Sequence, residues 1–216
     1  MRNKFDEQLE ELNQEMIKMG NMIEESISKA VEALYKMDHE LAKQIMENDS
    51  KVDHAQKKIE NICFNLLIQQ QPVARDLRTI TAAMKMVTDM ERIGDHAADI
   101  SEMSLYIGEC KDLPKFEHIK QMASETVLML SWSIEAYVTK DINKANDVIA
   151  HDDIVDDLFN EVKQDIIKLI HDMPERGEEA TDLLMVAKYF ERIGDHATNI
   201  AEWVIYSLTN TVIEVE

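Results

Sequence analysis

In this 216-residue chain, pairs of acidic residues at helical spacing are the best candidates for a functional site. Asp49 and Asp53 are four positions apart, as are Glu91 and Asp95, and Asp99 continues the second series. Four residues make about one helical turn, so each series places its carboxylates on one face of a helix. Like charges at this spacing repel by about 0.2–0.5 kcal/mol, and a bound cation would remove that repulsion. The pattern therefore indicates a cation site, with a solvated acidic helix face as the simpler alternative for any one pair alone.

The same acids recur in the second half of the chain. Residues 91–100 read ERIGDHAADI and residues 191–200 read ERIGDHATNI, which match at eight of ten positions. Upstream, DSKVD at 49–53 matches DDIVD at 152–156 with an offset of 103 residues. The second set of candidate ligands is therefore Asp152, Asp156, Glu191 and Asp195, with Asn199 in the place of Asp99. A duplicated set is hard to explain by chance, and it favours two related cation sites.

Every predicted ligand atom is an oxygen, a donor set that suits hard cations such as Mg²⁺, Ca²⁺ and Mn²⁺, and also iron. A structural zinc site is not indicated, because the chain has no Cys/His quartet. For Glu91 and Glu191 the alternative is a salt bridge to a basic residue of a neighbouring helix. Within the two decamers, His96 and His196 are expected at the surface or beside the ligands, not as ligands themselves. Gly94 and Gly194 predict a close approach between helices.

The elements that carry these residues are predicted to be long helices. Five Gly and three Pro make up about 4 % of the chain, against about 12 % in an average composition. That scarcity excludes an all-β sandwich or barrel and argues against a Rossmann-type fold, and no phosphate-cradling glycine motif is present. The prolines at 72, 114 and 174 and the N-cap candidates Asp38 and Asp141 mark five breaks. The resulting helices span roughly 3–37, 39–70, 73–108, 115–140, 142–172 and 178–210.

The repeat groups these helices into an all-α fold of two tandem three-helix bundles. We assign the first bundle to residues 1–110 and the second to residues 111–216, with the boundary near 109–113 and six long antiparallel helices in total. Gly108 is a candidate stop for the third helix.

Helix register brings the two acid pairs of a bundle together. Asp53 lies 19 residues before Pro72 and Glu91 lies 19 residues after it, so antiparallel helices would place both pairs at one height. Glu91 also continues an apolar seam that runs from Val73 through Leu77 along the third helix. A carboxylate on such a seam is costly to bury unless it is paired or coordinates a metal.

Bulk charge limits the partners. With 43 acidic and 23 basic residues the net charge is −20, which disfavours nucleic acid and anionic membrane and favours cations and basic protein surfaces. No apolar run is long enough to span a bilayer, and the N-terminus lacks a signal-peptide core. Cys63 and Cys110 form no C-x-x-C motif and are interpreted as free thiols. We therefore expect a cytoplasmic protein without direct membrane insertion.

The duplicated decamers, together with the DSKVD and DDIVD segments, closely resemble the PhoU family over essentially the whole chain. The resemblance implies a cytoplasmic, non-enzymatic regulator that exerts negative control over the phosphate-starvation response and high-affinity phosphate uptake. It implies two partners, the ATPase of the phosphate ABC transporter and a sensor histidine kinase, and it favours a homodimer.

The same resemblance implies metal binding. Carboxylate motifs of this family can hold divalent or trivalent ions in multinuclear clusters, iron among them, with Mg²⁺, Mn²⁺, Ca²⁺ and Zn²⁺ left open here. The implied ligands are Asp49, Asp53, Glu91, Asp95, Asp152, Asp156, Glu191 and Asp195. Asp99 departs from the asparagine that is usual at its position and that Asn199 retains.

Two other functions stay open from the residues alone. A carboxylate-bridged metal-dependent enzyme, either a hydrolase or a di-iron oxidase, could use two metal ions to activate water. Against the oxidase, no histidine has an acidic residue three positions before it, as a ferritin-like Glu-x-x-His site requires. The third possibility is a purely structural helical adaptor that binds no metal.

Overall fold

Six long helices form the part of the chain that the computed structural model describes, which is residues 2–70, 72–107 and 117–209. In chain order they are α1 Arg2–Lys36, α2 His39–Gln70, α3 Ala74–Tyr106, α4 Glu117–Thr139, α5 Ile142–Asp172 and α6 Gly177–Thr209. A short 3₁₀ turn, Pro174–Arg176, separates α5 from α6. The predicted all-α class is confirmed, and each helix end lies within two residues of its predicted position.

The same turn joins the first two helices of each half. Met37 and Lys140, which are 103 positions apart, have φ angles of 53° and 58°. The following residues, Asp38 and Asp141, each donate their backbone N–H at 3.0 Å to the carbonyl oxygen five residues earlier, as in a Schellman motif. Both aspartates then accept hydrogen bonds from the first turn of the next helix, which confirms them as N-caps. The repeat found in the sequence is thus a repeat of backbone geometry.

Apolar side chains at helical spacing hold the bundles together. On α1, Leu12, Met16, Met19, Ile23 and Ile27 have no exposed surface. Residues of all six helices continue this core, so the two bundles share one apolar interior.

The predicted seam on α3 is wrong at its start. Val73 and Leu77 are 68 % and 44 % exposed, whereas Ile80 and Val87 are buried. The first turn of α3 adjoins the α2–α3 connection, where Ile68 on the other side is 77 % exposed. Within the described residues, both helices extend past the packed core at this end, so apolar residues at seam spacing there stay exposed.

The two halves meet along α3 and α6, and contacts of earlier α3 residues with later α6 residues show that the two helices run antiparallel. Lys85 near the middle of α3 lies 6.0 Å from the Trp203 ring late in α6. The rings of His96 and His196 have centroids 5.7 Å apart, so equivalent residues of the two repeats contact each other. That geometry relates the halves by an approximate twofold axis near these imidazoles. None of the helices, over the residues described, has the length and apolarity needed to cross a membrane.

Three sequence-based expectations fall on residues outside the described ranges: the boundary near 109–113, Gly108 as a helix stop, and the thiol of Cys110. The division into residues 1–110 and 111–216 stays a prediction. Cys63 is a buried free thiol, as expected.

The helices that carry the acid pairs approach each other at the decamer glycines. A Cβ atom at Gly94 would lie 2.9 Å from Val52 Cγ1. At Gly194 it would lie 3.0 Å from Asp152 Oδ1 and 3.4 Å from Val155 Cγ1. The predicted close approach is confirmed, and it places the residues around Val52 directly against those around Gly94.

This close approach gives a first prediction. Alanine favours a helix interior by about 1 kcal/mol over glycine, but overpacking a tight site costs about 1–3 kcal/mol. Because Val52 is buried and β-branched, it has little freedom to rotate away. We expect Gly94→Ala to lower the free energy of unfolding by about 1 kcal/mol in a urea titration.

The matched control is Gly177→Ala, where the new Cβ meets nothing within 4 Å and no loss of stability is expected. In a Val52→Ala background, Gly94→Ala should no longer destabilise. An equal loss in both backgrounds would show that the Val52 contact is not its cause.

Candidate metal centre

Three carboxylates from two helices form the first cluster. Asp49 and Asp53 on α2 and Asp95 on α3 each place one oxygen within 4.8 Å of the other two. All three residues are half-buried. The Val52–Gly94 contact lies between them, so the packing of α2 on α3 holds these like charges together. The prediction that both acid pairs lie at one height is confirmed for this half.

One oxygen of this cluster lacks a protein partner. Asp49 Oδ1 is buried and has no hydrogen-bond partner among the described residues. Burial, and next the charges of Asp95, Asp53 and Asp99, raise the pKa of Asp49 to about 6. A buried carboxylate oxygen without a donor is unfavourable, and a cation would supply the missing interaction. The donor set therefore fits a hard cation.

Glu91 lies at the edge of the cluster. Burial raises the pKa of Glu91, and Asp95 adds to this, whereas Arg92 opposes it. Arg92 Nη1 donates to Asp95 Oδ2 at 2.9 Å, and Arg92 Nε lies 3.6 Å from Glu91 Oε2. The cation beside Glu91 thus comes from its own helix. Because the Arg92 side chain is 57 % exposed, the pair is weak and leaves the carboxylates free to rearrange.

Asp99 makes its closest contact outside the cluster. Asp99 Oδ2 lies 3.2 Å from His96 Nδ1. Burial lowers the pKa of His96, and the contact with Asp99 opposes that shift. Asp99 still contributes to the raised pKa of Asp49, so it lies near the three close oxygens without joining them. His96 is next to the candidate ligands, as the sequence predicted.

The second set of acids is arranged more loosely. Burial, and next Asp195, Asp156, Asp153 and Glu191, raise the pKa of Asp152 to about 6. Asp156 and Asp195 are exposed, unlike their counterparts in the first half. All four predicted ligands lie in the described part of the chain, and they do not bring three donor oxygens within 4.8 Å.

A lysine contacts this second set. Lys188 Nζ donates a hydrogen bond to Glu191 Oε1 at 2.5 Å and lies 2.5 Å from Oε2. Glu191 Oε2 is buried and, like Asp49 Oδ1, has no hydrogen-bond partner among the described residues. Although the Asp195 side chain is exposed overall, partial desolvation of its carboxylate and the charge of Glu191 raise its pKa, whereas Lys188 opposes that shift. Glu191, like Glu91, therefore finds a basic partner on its own helix.

Asn199 faces the other half of the molecule. Its Nδ2 donates to Asp89 Oδ1 at 3.3 Å, and His196 Nδ1 lies 2.9 Å from the same oxygen. This link between α3 and α6 was not predicted, and neither was the role of Lys188. Both involve positions just before the decamers where the repeats differ, Thr88 against Lys188 and Asp89 against Tyr189. Comparing the differences between the repeats, as well as their identities, could have found them.

Comparison with known proteins places this geometry in a family. The model of the PhoU domain family matches residues 16–104 and 119–204. The chain is 37 % identical over 212 residues to a phosphate-specific transport system accessory protein PhoU homolog of Clostridium acetobutylicum, covering 98 % of this chain and 97 % of that one. It is 32 % identical over 215 residues to the protein of the same description from Streptococcus pneumoniae, covering 100 % of both.

Two solved structures share the fold. A crystal structure of PhoU from Pseudomonas aeruginosa is similar with a TM-score of 0.89 and 30 % identity, over 96 % of this chain and 100 % of that one. The structure of the phosphate transport system regulatory protein PhoU from Streptococcus pneumoniae has the same TM-score and identity, over 98 % of this chain and 100 % of that one.

The electrostatics of the first cluster give a second prediction, for metal-free protein. The pKa of Asp49 is about 6 when folded and 3.8 as an ordinary aspartate. The folded state binds the Asp49 proton more tightly than the unfolded state does, so the ionised carboxylate destabilises the fold. This loss of stability is absent below pH 3.8 and fully present above pH 6. We expect Asp49→Asn to match the parent protein at pH 3.5 and to be more stable by about 1 kcal/mol at pH 7, after allowance for solvent screening.

The measurement is urea unfolding at several pH values in the presence of a chelator. Asp157→Asn, at an exposed position on α5, is the control for the loss of one carboxylate outside the cluster. A stability difference for Asp49→Asn that stays constant with pH would contradict the proposed cause.

Proposed function

The chain belongs to the PhoU family, and from that premise we propose that it is a non-enzymatic, metal-binding regulator of phosphate uptake. Its relatives are described as phosphate-specific transport system accessory proteins, and one solved relative as a phosphate transport system regulatory protein. The single observation that carries the metal-binding part is the convergence of three carboxylates from two helices, one of which, Asp49, has a buried oxygen with no hydrogen-bond partner among the described residues.

In this proposal Asp49, Asp53 and Asp95 hold a divalent or trivalent hard cation, with iron as one candidate, and Glu91 closes one side. The bound cation would neutralise their mutual repulsion and link α2 to α3. Asp99 orients His96 beside the site instead of serving as one of the three close ligands. The second set, Asp152, Asp156, Glu191 and Asp195, offers the same donor types in a looser arrangement.

The regulatory part rests on the family and on charge. We take the ATPase of the phosphate ABC transporter and the sensor histidine kinase as partners, and negative control of the phosphate-starvation response as the outcome. A net charge of −20 suits binding to basic surfaces of such partners. A homodimer and a cytoplasmic location belong to the same proposal.

A third prediction concerns the ligands. Metal-free protein titrated with Mn²⁺ or Fe²⁺ should bind it, and Asp95→Ala and Asp49→Ala should each weaken that binding by about tenfold or more. The reason is that each variant removes one of three close oxygens. Calorimetry and elemental analysis of dialysed protein provide the measurement.

The control is Glu7→Ala with Glu11→Ala, another pair of acids four positions apart, both exposed on α1. This control pair removes two negative charges, one more than either single variant, without touching the cluster. If Asp95→Ala bound metal as well as the control, the carboxylates would be a solvated helix face. Hydrolysis of a phosphoester by metal-loaded protein would instead favour the enzymatic alternative.

A fourth prediction concerns the partners. Immobilised full-length protein should retain the purified transporter ATPase and the purified kinase from the same genome. Retention should weaken as salt rises from about 0.05 to 0.5 M, because exposed charges are screened. Cells that lack the protein should express the transporter in phosphate-replete medium. Binding to neither partner would overturn the adaptor role, and unchanged expression would overturn negative control.

A further inference from the structure

The two repeats share their acids but differ in the residues that border them. Position 188 on α6 is a lysine, and its counterpart on α3 is Thr88. The Thr88 hydroxyl donates to the backbone carbonyl of Met84 at 3.2 Å and so brings no charge to the first cluster. Lys188 instead places its ammonium against the carboxylate of Glu191. An arginine follows each glutamate in both repeats, and in the first repeat Arg92 contacts Glu91 and Asp95 from an exposed position.

An aromatic ring supports the lysine. Lys188 Nζ lies 5.5 Å from the centroid of Phe159 on α5, and Lys163 Nζ lies 5.0 Å from the same centroid. The face of an aromatic ring attracts an ammonium group, so both contacts favour a cation at this position. In the first repeat the counterparts of the ring and of Lys163 are Gln56 and Glu60, so that border has no comparable support.

Burial differs in the same direction. Asp53 and Asp95 are half-buried, whereas their counterparts Asp156 and Asp195 are exposed. Three oxygens converge in the first cluster and, within the described residues, three do not converge in the second. The first cluster therefore gathers three oxygens beside the exposed Arg92, whereas the second set is looser and contacts Lys188, which an aromatic ring supports.

We propose that Lys188 is the resident cation of the second cluster, so that the chain binds metal tightly at its first cluster alone. This inference rests on the proposed function, because it assumes a metal at Asp49, Asp53 and Asp95. A metal ion entering the second cluster would have to displace the ammonium from Glu191 and from the face of Phe159. Both losses lower the affinity of the second cluster relative to the first.

The repeat supplies a reciprocal exchange as the test. Metal-free protein is titrated with Mn²⁺ by calorimetry, and the parent protein should show one tight class of sites. Lys188→Thr should add a second tight class, because it frees Glu191. Thr88→Lys should weaken the original class by about tenfold or more, since it introduces an ammonium at the first cluster. Lys168→Thr, at an exposed lysine of α5, removes the same charge elsewhere and should change neither class.

Asp95→Ala and Asp195→Ala assign the classes. The inference predicts that Asp95→Ala abolishes the parent class and that Asp195→Ala removes only the class created by Lys188→Thr. Two tight classes in the parent protein, one lost in each of these variants, would overturn the role of Lys188 while leaving the proposed function intact. Metal binding that persists unchanged in Asp95→Ala would overturn the proposed function itself.

Urea unfolding of the metal-free protein tests the role of Lys188 independently of metal binding. In chelator, Thr88→Lys should raise the urea midpoint of unfolding, because the new ammonium relieves repulsion in the first cluster. Lys188→Thr should lower that midpoint by leaving Glu191 unpaired among acids. Far-UV circular dichroism confirms that both variants are folded. Midpoints that shift in the opposite directions would overturn the assignment of Lys188 as resident cation.

Discussion

Apolar packing of α2 on α3 forces carboxylates together that would otherwise separate, and the candidate site depends on this constraint. Val52 fits against Gly94 with no room for a Cβ atom, so the acids within one turn of this contact, Asp49, Asp53 and Asp95, have fixed neighbours. The free energy for holding them comes from the shared apolar core, not from the acids themselves. The raised pKa of Asp49, about 6, reflects this opposition between packing and charge.

Much of the fold could be predicted because its signals are local. The scarcity and positions of glycine and proline, with the caps at Asp38 and Asp141, gave the helix ends to within two residues. The position of the two acid pairs at one level along the bundle followed from the equal distance of Asp53 and Glu91 from Pro72, 19 residues in each case. Side-chain partners could not be predicted in this way, because Asp99 and Asn199 could each contact either the acids of their own repeat or another group. Asp99 contacts His96, and Asn199 contacts Asp89. Those choices depend on how α3 packs against α6, for which the period of a single helix carries no signal.

Duplication has preserved the backbone more strictly than the charges. The Schellman turns at Met37 and Lys140, the valine-on-glycine contacts and the acid pairs all recur with the same geometry or spacing. Charge differs where the repeats border those acids, with Thr88 in one and Lys188 in the other. Each substitution leaves helix packing unchanged, because both positions lie outside the apolar core. Two sites on one scaffold can therefore acquire separate electrostatic properties without a change of fold.

The contact of Asp89 with His196 and Asn199 has a thermodynamic consequence. Helix α3 carries Asp95 on the side facing α2 and Asp89 on the side facing α6, less than two helical turns apart. A ligand that favours one position of α3 must also favour one arrangement of the two halves. A partner protein that binds both halves and prefers that arrangement would therefore raise the affinity of the first cluster for its cation. By thermodynamic reciprocity, the bound cation would raise the affinity for that partner by the same factor.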